Sequence, residues 1–293
     1  MSARKPQKRP RIGLALSGGA ARGIAQVGVL RALAEHNIPI DCIAGTSAGA
    51  LVGGTLASGM SLSEIESIGR SMRWRDIGRM TMSRMGVQSN ERLEQYLRER
   101  LPVTRFEDLP IPFAAVATDL QSGKGVILKG KGDVPFAIRA SCAIPGWYIP
   151  VTDENGRQLV DGGLVANIPS DVARSMGADI VIAVDVNAEG AAFLGPSLSI
   201  ISVVLQSMML VQRTASLYQL AAADVVIKPR VGHIRWDEMR RGEELIAAGY
   251  EAGVESILEI EMAIANATKA EPKWYQLRRR KEIPAKRPVT SLT

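Results

Sequence analysis

Apolar residues along this chain alternate between two spacings. Short unbroken apolar runs within Arg11–Leu16, Ile38–Ala44 and Ile180–Val186 have the length and β-branched content of buried strands. Between them, Ile24–Ala34 sets Val27, Leu30, Leu33 and Ala34 on one side at helical spacing, and Ser47–Ala57 reads as a helix of small residues. Strand, crossover helix and parallel strand make a βαβ unit, with the glycine-rich turn Ser17–Gly23 at its first junction. Residues 61–101 are predicted helical and mostly amphipathic. Met72, Met80, Met82 and Met85 fall there beside Trp74, a usage that suits either an adaptable core or a lipid-facing lid. Further on, "PFAAVATDL" and "GVILKG" read as a hairpin-like pair of strands and Phe136–Ala143 as a helix. A short strand, Gln158–Val160, runs into Asp161-Gly162-Gly163. Pro169–Met176 and Ser199–Ala222 follow as helices, Val225–Pro229 as an edge strand, and Gly242–Ile264 as the last helix. No segment repeats. The alternation predicts an α/β protein, a three-layer α/β/α fold around a mainly parallel central sheet.

The length fits one large α/β domain or two small domains. A chain of 293 residues that is 46% hydrophobic but only 4% aromatic must fill its core with Ala, Val, Ile and Leu. The net charge of +6 sits at the ends. Residues 1–11 carry five cations and no acid, and residues 271–293 carry seven cations against two acids, so the body between is mildly acidic. The expected organisation is a basic disordered tail over 1–11, a catalytic core over 12–190, a C-terminal helix and strand extension packed on the core over 191–265, and a second basic tail over 266–293. Tails of this kind are ordinarily solvated, and they also suit contact with an anionic membrane surface. Nucleic acid is not expected as a partner, because the charge is confined to the tails and few aromatics accompany it. Cys42 and Cys142 lie in apolar runs, which points to a reducing compartment without a disulfide framework. No apolar run reaches the length of a membrane span, and the apolar stretch near the N-terminus is too short and glycine-rich for a signal peptide. A cytoplasmic protein in peripheral contact with membrane is the expectation.

Candidate chemistry centres on "DCIAGTSAGALVGG". Gly45-Thr46-Ser47-Ala48-Gly49 is a Gly-x-Ser-x-Gly, and its setting matters more than its letters. An apolar strand leads in and a helix-compatible run leads out, as a nucleophile elbow requires, and glycines two positions away on each side relieve crowding in the turn. A helix start with Thr46 or Ser47 as N-cap explains the same letters. The earlier turn, Gly18-Gly19-Ala20-Ala21-Arg22-Gly23, aims backbone N–H groups at one point. It fits an oxyanion hole, or, with Asp41 at a ribose distance, a dinucleotide fold whose second fingerprint glycine is replaced by Ala. A base for Ser47 is harder to find with two histidines. His233, in "KPRVGHIRWDEM", follows in the α/β-hydrolase chain order with Asp161 or Asp185 as orienter. His36 sits at a helix end. Asp161 itself ends a strand ahead of two glycines, where it is either a direct base or part of an ordinary turn. No His/Cys cluster has metal spacing, and no cofactor is expected.

Four segments taken together, "LALSGGAARGIAQVGVL", "IAGTSAGALVGG", "IRASCAIPGWYIPV" and "LVDGGLVANIP", resemble patatin-like phospholipases in order and wording, closest to the bacterial branch that includes neuropathy-target-esterase-type lysophospholipases. The resemblance covers roughly Ile12 to Asp185. It implies a serine lipid acyl hydrolase in which Ser47 is the nucleophile and Asp161 the base of a two-residue dyad, acting on a phospholipid, lysophospholipid or other fatty-acyl ester. It further implies that the Gly18-Gly19-Ala20 backbone is the oxyanion hole, with Arg22 and Gly23 holding that loop. Gly45 and Gly49 shape the elbow, Gly162 and Gly163 the aspartate turn, and Asn167 and Pro169 orient the loop after that turn. Relatives carry three or four glycines before the arginine, where this chain has two between Ser17 and Ala20. Ala20 keeps its N–H donor provided its backbone needs no positive φ. A weakly active or regulatory lipid-binding protein is the alternative that this departure admits.

Overall fold

The computed structural model describes residues 9–189 and 200–269. The strands are β1 (Ile12–Leu16), β2 (Cys42–Thr46), β3 (Arg79–Met80), β4 (Gly86–Ser89), β5 (Phe113–Asp119), β6 (Gly125–Lys129), β7 (Gly146–Tyr148), β8 (Val151–Thr152), β9 (Gln158–Asp161), β10 (Ile180–Val184) and β11 (Val225–Ile227). The α-helices are α1 (Ala25–Glu35), α2 (Ala48–Ala57), α3 (Leu62–Ser71), α4 (Trp74–Ile77), α5 (Glu91–Arg100), α6 (Val134–Ser141), α7 (Gly163–Ala166), α8 (Ser170–Ser175), α9 (Ile200–Gln219) and α10 (Gly242–Lys269).

Eight strands form the central sheet in the order β11-β10-β1-β2-β5-β9-β8, with β6 also paired to β5. From β11 to β5 every pairing is parallel. Strands β1, β2, β5 and β10 are buried along their whole length, which is why they read as continuous apolar runs. One face is covered by α1, α2, α3 and α10, packed on Leu14, Leu16, Ile43 and Ile182. The other is covered by α8, which buries Val172 and Ala173 against Ala15, Ala44, Val181 and Ala183. The result is the expected α/β/α layering around a mainly parallel sheet. Beyond residue 200, β11 extends the sheet and α10 lies along α1. The basic tails expected over 1–11 and 266–293 fall for the most part outside the described residues.

Two features bear on the site, the first of them a difference from the sequence expectation. Residues 79–89 are not helical: β3 and β4 pair antiparallel, and β4 pairs in parallel with β7 from sixty residues downstream, making a separate three-stranded sheet. Strands this short carry no periodicity of their own, and their pairing is fixed by a distant partner. Second, β6 occupies one edge of β5 from Ala114 to Thr118, so β2 and β9 must share the other. Thr46 stands opposite Val116, and Asp161 stands opposite the next residue, Ala117. The C-terminal ends of β2 and β9 therefore meet head to head.

Candidate active site

Ser47 follows β2 and precedes α2 with φ 53° and ψ −123°, a sparsely populated conformation that costs on the order of 1–3 kcal/mol and persists only when its surroundings over-determine it. They do. Ser47 N–H donates to Ser141 Oγ at 2.8 Å, and the Ser47 carbonyl accepts from Ala50 and Leu51 N–H at 2.8 and 3.1 Å. Ser141 Oγ in turn donates to the Val116 carbonyl at 2.6 Å, tying the elbow to β5. The flanking glycines let main chains touch. A Cβ on Gly45 would stand 2.4 Å from the Gly49 carbonyl oxygen, and one on Gly49 would stand 2.2 Å from that of Leu16.

Asp161 is buried at the end of β9. Its Oδ1 accepts from Gly163 N–H at 2.8 Å, its own N–H donates to the Ala143 carbonyl at 2.9 Å, and its carbonyl accepts from Thr118 Oγ1 at 2.9 Å. The Ser47 and Asp161 side chains lie next to one another in the same cleft, and the neighbouring hydroxyl stabilises the carboxylate. Burial raises the Asp161 pKa to about 6, against the opposing pull of the Ser47 hydroxyl and the Gly163 N–H. The head-to-head meeting of β2 and β9 is what brings the two side chains together. The Cys142 thiol lies beside both and is pushed well up by burial.

The glycine-rich turn follows β1, next to the elbow. Gly18 N–H donates to the Asn167 carbonyl at 3.0 Å, so it is not available as an oxyanion donor, which departs from the expectation for that residue. Gly19 and Ala20 N–H have no acceptor among the described residues. Nor has the N–H of Ala48 at the first position of α2 an intrahelical one. Ala20 has φ 48°, so the positive φ that would favour glycine is present. Arg22 is fully buried, donates to the carbonyls of Ile234 and Gly232 at 2.6 and 3.2 Å, and has its pKa lowered by desolvation. Together with the bond from Ala21 N–H to the Trp236 carbonyl at 2.9 Å, it fixes the turn to the segment before α10. Gly23 packs against Ala48, Gly162 lies against the Val116 carbonyl, and Asn167 donates from Nδ2 to Ser216 Oγ at 3.3 Å. Pro169 stands at the N-terminus of α8.

Of these groups, Gly18, Gly19, Ala20, Arg22 and Asn167 line one cleft of about 80 Å³, floored by Ser47 and Asp161 and walled by Leu205, Met208 and Met209 of α9 and by Trp236. No histidine lines it. His233 is exposed, with Nε2 2.8 Å from Glu244 Oε1, and His36 Nδ1 lies 2.9 Å from the Ala32 carbonyl. Asp185, the other candidate orienter, caps Asn187 N–H at 2.9 Å instead. Asp41 accepts from Arg9 and from Ile12 N–H, which commits it to the start of β1. Among the described residues no cluster of His, Cys, Asp and Glu is arranged to hold a metal ion. Sequence reasoning missed Ser141, Trp236 and the α9 wall. Ser141 is visible only as a small polar residue in "RASCA". Its replacement by Ala strands the Ser47 N–H in the interior, a loss of about 1–3 kcal/mol. Ser141→Ala is expected to lower the melting temperature by several degrees and turnover at least tenfold, read by thermal unfolding and soluble-ester hydrolysis.

A strained serine between strand and helix thus stands beside a buried carboxylate and near backbone N–H groups that have no acceptor among the described residues. Residues 14–174, more than half of the chain, match the family described as patatin-like phospholipase, and the protein belongs to that family. It is 38% identical over 219 residues to an NTE family protein of Mycobacterium bovis described as uncharacterized, spanning 73% of this chain and 59% of that protein. It is 37% identical over 183 residues to lysophospholipase NTE1 of Mycosarcoma maydis, across 60% of this chain and 10% of that one. The chain thus spans about three fifths of the mycobacterial relative and a small part of the fungal one. Among solved structures, VipD from Legionella pneumophila matches with a TM-score of 0.52 at 14% identity, covering 89% of this chain and 67% of that one, which speaks to the fold.

Proposed function

We propose that the protein is a serine lipid acyl hydrolase, of phospholipase A or lysophospholipase type, working with a Ser47–Asp161 dyad and no histidine. The observation that carries this reading is the placement of Ser47 beside the buried Asp161 carboxylate where β2 and β9 meet, in a cleft that no histidine lines, with burial pushing the Asp161 pKa up to about 6. A carboxylate of that basicity can take a serine proton near neutral pH, where an exposed aspartate is too weak a base. Ser47 Oγ attacks the ester carbonyl as its proton passes to Asp161. Gly19 and Ala20 N–H, with Ala48 N–H, hold the oxygen that becomes negative. The ester C–O bond breaks, Asp161 returns the proton to the leaving alcohol, and the acyl group stays on Ser47. Water then gives a proton to Asp161 as it attacks the acyl carbon, the bond to Ser47 Oγ breaks, and Asp161 returns the proton to Ser47 as the fatty acid leaves. Gly18 shapes the turn, and Leu205, Met208 and Met209 receive the acyl chain. Membership of the patatin-like family and the name of the fungal relative support a lipid ester as the substrate class.

Ala20 at positive φ is the one feature that favours the alternative, a lipid-binding regulator of weak activity, since its strain tells against an ideal oxyanion hole. The test is hydrolysis of a medium-chain nitrophenyl ester and labelling by a fluorophosphonate probe. Wild type is expected to turn over the ester and label at Ser47, with Ser47→Ala at the buffer rate and unlabelled. A wild type that neither hydrolyses nor labels rejects the hydrolase in favour of the regulator.

A further inference from the structure

Helix α9 is apolar on two opposite sides. Leu205, Met208, Met209 and Gln212, at helical i, i+3, i+4, i+7 spacing, line the catalytic cleft. On the opposite side Val203, Val204, Leu210, Val211, Leu217 and Tyr218 face outward, from 47% to 80% exposed. The exposed polar residues of this helix are Ser207, Arg213 and Thr214, and the two hydroxyls are satisfied on the helix itself. Ser207 Oγ donates to the Val203 carbonyl at 2.8 Å, and Thr214 Oγ1 to the Leu210 carbonyl at 3.3 Å. Satisfying a hydroxyl on its own helix removes its need for water. The helix has no acid in its twenty residues, and its one charge, Arg213, lies at the edge of the cleft. Arg213 makes no hydrogen bond or close ion pair among the described residues, with Asp185 in electrostatic reach.

The small sheet adds to this picture. Helix α9 touches β7, and β7 leads through β4 to β3 and the segment "RMTMSRM", residues 79–85. Met80, Met82 and Met85 are all more than half exposed there. Arg79 and Arg84 stand between them without an ion-pair partner among the described residues, and no acid lies between Asp76 and Glu91. Exposed apolar side chains with unpaired cations and no carboxylates are the composition of a surface that rests at the headgroup level of an anionic bilayer.

We propose that the outer face of α9, together with the 79–85 segment, docks on an anionic lipid surface, so that an ester leaves the bilayer around the edge of α9 straight into the cleft on the helix's inner side. The choice of lipid as occupant rests on the hydrolase reading and on charge complementarity: the free cations of this face match anionic headgroups. Docking sits in the folded body and does not need the basic tails. No described helix is long and apolar enough to cross a membrane, and a helix of this kind lies in the interface instead.

The test is co-sedimentation with extruded vesicles of phosphatidylcholine and phosphatidylglycerol, alongside fatty-acid release from them and turnover of a soluble nitrophenyl ester. The variants are Val211→Glu with Leu217→Glu, and Arg79→Glu with Arg84→Glu. The first pair is expected to weaken vesicle binding more than tenfold and vesicle hydrolysis in step, with soluble-ester turnover and melting temperature unchanged. The second is expected to abolish the preference for phosphatidylglycerol over phosphatidylcholine alone. Vesicle binding unchanged in Val211→Glu/Leu217→Glu overturns the proposal. So does a wild type that runs as a dimer which this variant splits without loss of vesicle binding, since the face then covers a second copy. A wild type inactive on the soluble ester rejects the hydrolase reading, while vesicle binding still reports on docking.

Discussion

Asp161→Asn is expected to make the protein catalytically dead and more resistant to heat. The carboxylate sits in the interior with a pKa raised from 3.8 to about 6. The folded state therefore holds this proton more tightly than the unfolded one, and stability falls as pH rises between those two values. Below about pH 4 both states are protonated and the group costs nothing. Above about pH 6 the full cost is present, roughly 3 kcal/mol for a shift of about two pH units. Asn fills the same space and can still accept from Gly163 N–H through its side-chain oxygen, and it never carries the charge. At pH 8 the variant is expected to melt several degrees above wild type, with the gap closing as pH falls toward 4. Turnover of a soluble ester falls by about 10⁴–10⁶, the scale of losing a reacting group. The wild-type rate itself is expected to decline on the acid side with an apparent pKa of about 6. Equal melting temperatures at pH 8 and pH 4 contradict the burial argument.

Gly49→Ala is expected to be one of the most costly single-methyl additions near the site. Its Cβ would lie 2.2 Å from the Leu16 carbonyl oxygen, 2.6 Å from the carbon and 2.7 Å from the Ser17 carbonyl oxygen. All three are main-chain atoms at the end of β1, and no rotamer change relieves the contact. The helix must lift off the strand, which moves the Ser47 elbow and the oxyanion turn apart together. Overpacking of this kind costs about 3 kcal/mol or more, so the melting temperature should drop by about 10 °C and ester turnover by more than a hundredfold. Gly123→Ala is the control: with φ 67° and nothing within 4 Å, it carries only backbone strain, about 1–2 kcal/mol, and leaves turnover intact. A Gly49→Ala protein that melts and turns over like wild type contradicts the close approach of α2 to β1.

Much of this site is legible in the chain because its parts are local. The strand–serine–helix setting of Ser47, the glycines on either side of it and the turn after β1 all follow from neighbours in sequence. The partnership of Ser47 with Asp161 does not. It depends on two strands sharing one edge of β5, a long-range register that no local pattern encodes, and the residues alone leave both His233 and Asp161 open. The resemblance to a family chose between them. His233 sits beside Glu244 because the loop before α10 turns it outward. Ser141 holds the elbow from a helix that begins almost ninety residues later, and nothing in "RASCA" announces it. For α9 the apolar run predicts a long helix, but hydrophobicity on every side cannot say which face meets the cleft.

The most direct measurement is soluble-ester turnover by wild type, Asp161→Asn, His233→Ala and Ser47→Ala, side by side at pH 8. A Ser–Asp dyad predicts that Asp161→Asn falls to the Ser47→Ala floor while His233→Ala keeps the wild-type rate. A His233→Ala protein at that floor, with Asp161→Asn within tenfold of wild type, would contradict it and make histidine the base.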